Sequence, residues 1–166
     1  MSKKFHRAFG VYGIISDNSN LVVIKKNGGP YINRYDLPGG SLDDGEPLNN
    51  AIIREIKEET QLDATDVMQL GITSFRYPWK YEKWNYNQHI CVFYDVNKYD
   101  GKISNTVDQF VGQDSLGGLS IGLDELTYEN SSPLVMKAKE YIENGREFNS
   151  ADEFFDKWKI LKKQVF

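Results

Sequence analysis

Residues 40–62 read GSLDDGEPLNNAIIREIKEETQL and join a glycine-ended loop to a helix that crowds three glutamates together. Pro47 suits the first helical position, where a missing N–H costs nothing. Leu48, Ala51, Ile52 and Ile56 recur at i, i+3, i+4 and i+8, an apolar stripe that predicts a helix over 47–60. Glu55, Glu58 and Glu59 stand at i, i+3 and i+4 and so share one face. Like charges at this spacing destabilise a helix by roughly 0.2–0.5 kcal/mol per adjacent pair. They also gather toward the C-terminal end, where the helix dipole is already negative. Arg54, four residues before Glu58, offsets only part of this. A run of glutamates is usually a solvated helix face, and the alternative here is a cluster of hard oxygen ligands for Mg²⁺ or Mn²⁺.

The rest of the chain fits a compact enzyme-sized unit. With 166 residues, 40% hydrophobic and 27% charged, it is long enough for a core without staples and too apolar for a disordered tail. Lys plus Arg number 20 against 24 Asp plus Glu, a net charge of −4. That balance argues against broad nucleic-acid binding, which needs a basic face. It also means that a polyphosphate ligand requires positive charge from elsewhere. Cys91 is the only cysteine, so there is no internal disulfide and no thiolate zinc site. No apolar run approaches the ~18 residues of a membrane span, and the start lacks the apolar core of a secretion signal. A single cytoplasmic domain over 1–166, without membrane attachment, is the expectation, with a homodimer left open.

Residues 8–15 and 21–24 are apolar and flank the turn composition of 16–20, which predicts a hairpin. Residues 67–79 and 86–96 read as strands joined by a polar loop at 80–85. Residues 106–118 are irregular in pattern, and 119–126 can hold one more short strand. Two helices are expected to close the chain, at 132–143 and at 151–163. For the second, Ser150 and Glu153 form a capping box and Phe154, Phe155, Trp158 and Leu161 an apolar stripe. The order of strands and helices suggests an α/β (α+β) fold with a mixed sheet between helices.

The joint spacing carries more than any one residue. From Gly40, five residues lead to Glu46, seven more to Arg54-Glu55, then Ile56, one residue, Glu58-Glu59, two residues and Leu62. Tyr35-Asp36-Leu37-Pro38-Gly39-Gly40 leads in. This resembles the Nudix box, the signature of the Nudix hydrolases, with Gln61 where the family usually has glycine. A glycine there serves as a left-handed helix exit, which costs a glutamine about 1–2 kcal/mol.

The resemblance implies an α/β/α sandwich and a metal-dependent pyrophosphohydrolase. Such an enzyme cleaves a nucleoside diphosphate linked to another group by water attack on phosphorus. It implies that Glu58 and Glu59 bind Mg²⁺ or Mn²⁺, that Glu55 is a further ligand or the base for the attacking water, and that the Gly39 carbonyl is a ligand. Glu46 and Arg54 brace the loop and helix from behind. Some relatives add a carboxylate from a later loop, for which Asp114 ranks before Glu125. The physics agrees: bridging cations let an acidic protein hold a diphosphate and activate water.

The substrate side is legible only in outline. Phe75, Tyr77, Trp79 and Tyr81 alternate on one strand face, and Trp84 follows. Phe75 and Tyr77 read as core, while Trp79, Tyr81 and Trp84 can stack on a flat group. Arg7, Lys25, Lys26, Arg34 and Arg76 can meet phosphate. Arg34, beside Tyr35 and near the Gly39-Gly40 loop, is the first choice. Two other readings remain: a Nudix-like module that senses a nucleotide without turnover, and an acidic helix with chance spacing.

Overall fold

The computed structural model describes residues 2–166. Its strands are β1 (Phe5–Ile14), β2 (Asn20–Lys26), β3 (Tyr35–Asp36), β4 (Gly39–Gly40), β5 (Asp63–Tyr81), β6 (Trp84–Asp100), β7 (Ser115–Gly122) and β8 (Glu153–Phe154). Helix α1 spans Leu48–Thr60 and helix α2 spans Pro133–Glu143. One sheet has the order β4-β1-β6-β5-β8 and the other β3-β2-β7. The pairing is mixed: β1 runs parallel to β6, while β5 and β6 form a long antiparallel ribbon.

Alternation along the strands divides the core in two. On one side Val11, Ile15, Val22, Val92 and Tyr94 meet Ala51, Ile52 and Ile56 of α1. On the other, Tyr12, Ile14, Val23, Cys91 and Phe93 meet Leu134, Val135 and Ala138 of α2. Helices therefore cover the sheets from both sides, the α/β/α arrangement expected from the sequence. Among the described residues no helix is long and apolar enough to cross a membrane.

Two expectations are corrected. The segments 8–15 and 21–24 are strands, but they pair with different neighbours: β1 with β4 and β6, β2 with β3 and β7. Between them only Ser16 and Leu21 bridge, across a turn in which Asp17 Oδ1 accepts from the amides of Ser19 and Asn20. The chain thus steps from one sheet to the other where a two-stranded hairpin was expected.

The second correction is residues 151–163, which are not helical. They form the short β8 and then an extended tail. Their backbone groups are taken by the body of the protein. Phe155 N–H donates to the Arg76 carbonyl, and Arg34 and Asn33 donate to the carbonyls of Lys159 and Leu161. Glu153, expected to cap a helix, pairs with the buried Lys137 at 3.2 Å. Trp158 Nε1 donates to the Pro30 carbonyl while its ring packs on Tyr31 and Tyr77. Helix propensity is worth only tenths of a kcal/mol per residue, so these ties override it.

Candidate active site

The loop before α1 and the helix itself are locked by Arg54. Its guanidinium donates twice to Glu46, from Nε and Nη2, each at 2.8 Å. Nη2 also donates to the Ser41 carbonyl, and Glu46 accepts from the Asp43 amide. A planar fork matched to a carboxylate is the strong form of this pair. The hydrogen bonds from Arg54 hold the Glu46 carboxyl down at about 2. The free side of the same guanidinium, Nη1, reaches Glu55 at 3.1 Å and Glu58 at 3.3 Å. Loop, helix and two of the three glutamates are thus set by one side chain.

Glycines bring the loop against the helix. Gly39 has φ +151°, and a Cβ there would lie 2.0 Å from the Val11 carbonyl oxygen. A Cβ on Gly40 would lie 2.9 Å from Glu55 Oε1. Backbone contact and a positive φ require glycine at position 39, while a side chain at position 40 would displace the Glu55 carboxylate. At the far end of α1, Gln61 takes the left-handed conformation at φ 69° and ψ 6°. The helix leaves by the route a glycine would favour, and the Gln61 side chain donates to the Lys57 carbonyl at 3.1 Å.

These elements wall a cavity of about 340 Å³. Its lining includes Gly39, Gly40, Arg54, Glu55, Glu58, Glu59 and Asp114. Glu59 is almost wholly buried, and its Oε2 has no hydrogen-bond partner among the described residues. Burial raises the carboxyls of both Glu55 and Glu59 above the usual range. The charge of Glu55 raises Glu59 further, so the two resist ionising together. Opposite them, burial works to lower the Lys26 ammonium, yet Asp114, Asp36 and Glu59 together outweigh it and hold it above the ordinary lysine range. Lys26 pairs with Asp114 at 2.5 Å and Asp36 at 3.7 Å.

The donor chemistry suits a hard divalent cation. The carboxylates of Glu55, Glu58, Glu59 and Asp114 line the cavity with Gly39 and Gly40, and a buried carboxylate oxygen lacks a partner there. Among the described residues no three acidic, histidine or cysteine side chains already converge on one point as a closed cage. An ion held here would keep positions for water and phosphate, as Mg²⁺ usually does.

A second cavity, about 150 Å³, adjoins the first through Tyr12, Lys26 and Asp114. His6, Ala8, Pro30, Tyr31, Trp79 and His89 are among its walls. His89 is buried between two hydroxyls, Tyr12 at 2.7 Å and Tyr31 at 2.8 Å. Burial, helped by Lys26, lowers its pKa to about 3 and keeps the ring neutral. Trp79 stacks on Tyr81 at 4.9 Å, Tyr81 on Trp84 at 6.1 Å, and His6 meets all three edgewise. Trp79 lines the cavity while Tyr81 and Trp84 extend its stack outward along the ribbon tip.

Arg34 and Tyr35 are not brought to either cavity, contrary to the sequence expectation. Arg34 is 3% exposed. Its Nη1 donates to the carbonyls of Tyr128, Glu129 and Ser131, its Nη2 to that of Lys159, and its plane lies over Trp158. It ties the tail to the core. Tyr35 is buried with its ring toward Phe166. Strand alternation separates Tyr35 from Asp36, which faces Lys26, while Arg34 precedes β3 and is held by the carbonyls of Tyr128 and Lys159. Glu125 lies in the short turn after β7 and lines neither cavity, whereas Asp114 lines both. Tyr12 and Phe110 also line the first cavity, and Tyr12 escaped the sequence reading. The signal was its setting between Gly10, Gly13 and an apolar strand, which reads equally as core.

The NUDIX domain family profile matches residues 4–114. The chain belongs to the Nudix family. Within this family it is 39% identical over 69 residues to an ADP-ribose pyrophosphatase of Methanocaldococcus jannaschii, covering 42% of this chain and 41% of that protein. It is 35% identical over 81 residues to an 8-oxo-dGTP diphosphatase of Proteus vulgaris, covering 46% of this chain and 67% of that one. The chain therefore spans about two fifths of the archaeal relative's length. Among solved structures, a MutT NUDIX hydrolase from Burkholderia pseudomallei superposes with TM-score 0.64 at 21% identity, over 81% of this chain and 97% of that one. A MutT protein from Bacillus halodurans gives 0.61 at 15% identity, over 93% and 95%. These two likenesses show that the Nudix fold extends well beyond the Nudix box.

Proposed function

We propose that this Nudix chain is a metal-dependent pyrophosphohydrolase acting on a nucleoside diphosphate linked to a second group. The observation that carries the reading is the buried Glu59 carboxylate, with one oxygen unpartnered among the described residues, in a cavity it shares with Glu55 and Glu58. A buried acid without a partner is costly to maintain, and a bound cation removes that cost. The names of the curated relatives, an ADP-ribose pyrophosphatase and an 8-oxo-dGTP diphosphatase, support the substrate class.

In this reading Glu55, Glu58 and Glu59 hold Mg²⁺ or Mn²⁺, with the Gly39 carbonyl and Asp114 as further ligands. When bound, the ions lower the pKa of water, orient the phosphates and neutralise charge on the leaving oxygen. Glu55 or Glu58 accepts the proton of the attacking water, the raised pKa of Glu55 suiting it to that role. Glu46 and Arg54 keep the glutamates at their angles. Lys26 adds fixed positive charge where the two cavities join. Trp79, with Tyr81 and Trp84 behind it, offers a stacking wall for a flat group in the second cavity.

The test is a panel of nucleoside triphosphates, dinucleoside polyphosphates and nucleotide sugars, each with Mg²⁺ and with Mn²⁺. The reading expects one product pair released by intact protein. No turnover across the panel, with binding retained, favours the sensing module.

A further inference from the structure

Helix α1 covers only part of the sheet face on which it packs. Register lays three further rows across that face. Phe5 stands opposite Tyr86, and Tyr86 opposite Pro78. Arg7 pairs with Gln88, Gln88 with Arg76 and Arg76 with Phe154, a row across four strands. Phe9 pairs with Ile90, and Ile90 with Ser74. Positions two apart on a strand share a face. The next row holds Val11 and Val92, and these two meet Ala51, Ile52 and Ile56 of α1. Beyond them the cover stops. Phe5, Phe9, Ile72, Tyr86, Ile90 and Phe154 belong to neither core, and Phe9, Ile72 and Phe154 are exposed.

The uncovered part is both basic and aromatic. Lys3 Nζ lies 4.8 Å from the centre of the Phe154 ring and 5.3 Å from that of Tyr86, and Arg76 Cζ lies 5.4 Å from Phe154. Phe5 packs on Tyr86 at 5.3 Å. Among the described residues Lys3, Arg7 and Arg76 form no ion pair with an acid. Asp152, at the border of the Phe9 row, is taken up by Ser74, whose N–H donates to it at 3.1 Å and whose hydroxyl donates at 2.7 Å. Arg7 and Arg76, which can meet phosphate on the sequence alone, line neither cavity. Alternation along β1 sends His6 and Ala8 to the second cavity instead.

Cations without acids, beside exposed rings, select an anionic partner that carries flat apolar groups. A second copy laid on this face would set these cations against their own counterparts, because a two-fold contact uses the same patch twice. An acidic peptide would answer the charge and leave the rings bare. A single nucleic-acid strand answers both, with phosphates for the cations and bases for the rings. Gln88, between the two arginines by register, adds an amide that can meet a base edge. Four-stranded sheets with exposed aromatics stack two or three bases in this way, and they need them unpaired. The net charge of −4 argues against binding over the whole surface. It leaves a local basic face effective, since charges more than about 10 Å away are screened at 0.1 M salt.

We propose that the uncovered face of β1, β6, β5 and β8 binds a single-stranded nucleic acid, with its phosphates on Lys3, Arg7 and Arg76 and its bases on Phe9 and Phe154. None of these residues lines either cavity, so the proposal stands apart from the hydrolase reading.

The experiment titrates the full chain into a fluorescein-labelled RNA of about a dozen nucleotides, and into DNA of the same sequence. It follows anisotropy in EDTA at about 50 and about 200 mM salt. Expected is a micromolar Kd for at least one strand at the lower salt, weakening at the higher. Arg7→Gln combined with Arg76→Gln should raise Kd about tenfold or more, and Phe154→Ala about fivefold or more. Thermal melts should stay close to wild type, and turnover of any substrate found in the panel should stay within about twofold. Should the double variant fail to fold, Arg7→Gln alone, at an exposed side chain, is expected to raise Kd about threefold. The proposal is overturned by no rise in anisotropy with either strand at ~200 µM protein, above the usual range of non-specific binding. It is overturned equally by a Kd within twofold of wild type in the folded arginine variant or in Phe154→Ala. Polyglutamate that displaces the strand as well as unlabelled RNA does would leave the rings no part and also overturn it. Turnover lost in the arginine variant would tie the face to the reaction and contradict its independence.

Discussion

The loop and helix from Gly39 to Gln61 and the tail from Ala151 to Phe166 obey different masters. In the first, residues close in sequence fix one another: Glu46 grips Arg54, Arg54 grips Glu55 and Glu58, and Gly40 makes room for Glu55. In the second, local pattern promises a helix, but distant groups claim the backbone: Arg34, Asn33 and Arg76 hold it open. Where a chain must place charges to within fractions of an ångström, it does so with short-range pairs on rigid elements. Where it must only cover a core, long-range packing decides the conformation.

The largest expected effect tests the first region alone. The triple change Glu55→Gln, Glu58→Gln, Glu59→Gln should abolish product release in the presence of Mg²⁺ or Mn²⁺. Circular dichroism should still show a folded protein, since three crowded charges disappear with little change of shape. Retained turnover would detach the glutamates from the chemistry and make the helix an ordinary acidic face.

Next comes the tail. Trp158→Ala removes a ring packed on Tyr31, Tyr77 and Phe155 and one hydrogen bond to Pro30. Urea unfolding should show a loss of about 3 kcal/mol. A loss below ~1 kcal/mol would mean that the tail is held by its own backbone pairing and that the contrast between the regions is overstated.

Arg54→Lys keeps the charge and loses the fork to Glu46. Activity should fall roughly 10–100-fold, the range typical of residues that orient metal ligands, with little change in unfolding midpoint. An effect on stability alone would make Arg54 a clamp with no bearing on the glutamates' aim. The smallest effect is expected at the helix exit. Gln61→Gly relieves a left-handed glutamine and forfeits one side-chain hydrogen bond to Lys57, for a net stabilisation of about 1 kcal/mol. Destabilisation in a thermal melt would show that this bond outweighs the strain.

The contrast also explains what could be read from the sequence. The helix at 47–60 and its glutamate face were legible because spacing alone sets them, whereas the brace between Glu46 and Arg54 was implied by the resemblance to the Nudix box. The ribbon of β5 and β6 was legible because aromatic and apolar residues alternate. The tail was not legible, since its helical pattern is real and only tertiary contacts reverse it. Arg34 was misread for the same reason: a basic residue near a glycine loop looks available until the structure turns it toward Lys159 and Trp158. Tyr12 was invisible because its place between the two cavities depends on β1–β6 pairing and on His89, a residue far away in sequence.

The central claim is that the buried glutamates of α1 jointly bind a divalent ion. It is tested most directly by titrating Mn²⁺ into wild-type protein and the Glu59→Gln variant while following the paramagnetic signal of the free ion. Burial keeps Glu55 and Glu59 protonated to higher pH than ordinary carboxyls, and binding needs them ionised. Uptake by the wild type should therefore weaken as pH falls through the raised carboxyl range, and the variant should bind at least tenfold more weakly at neutral pH. Equal uptake by the two proteins, or none by the wild type, would contradict the account.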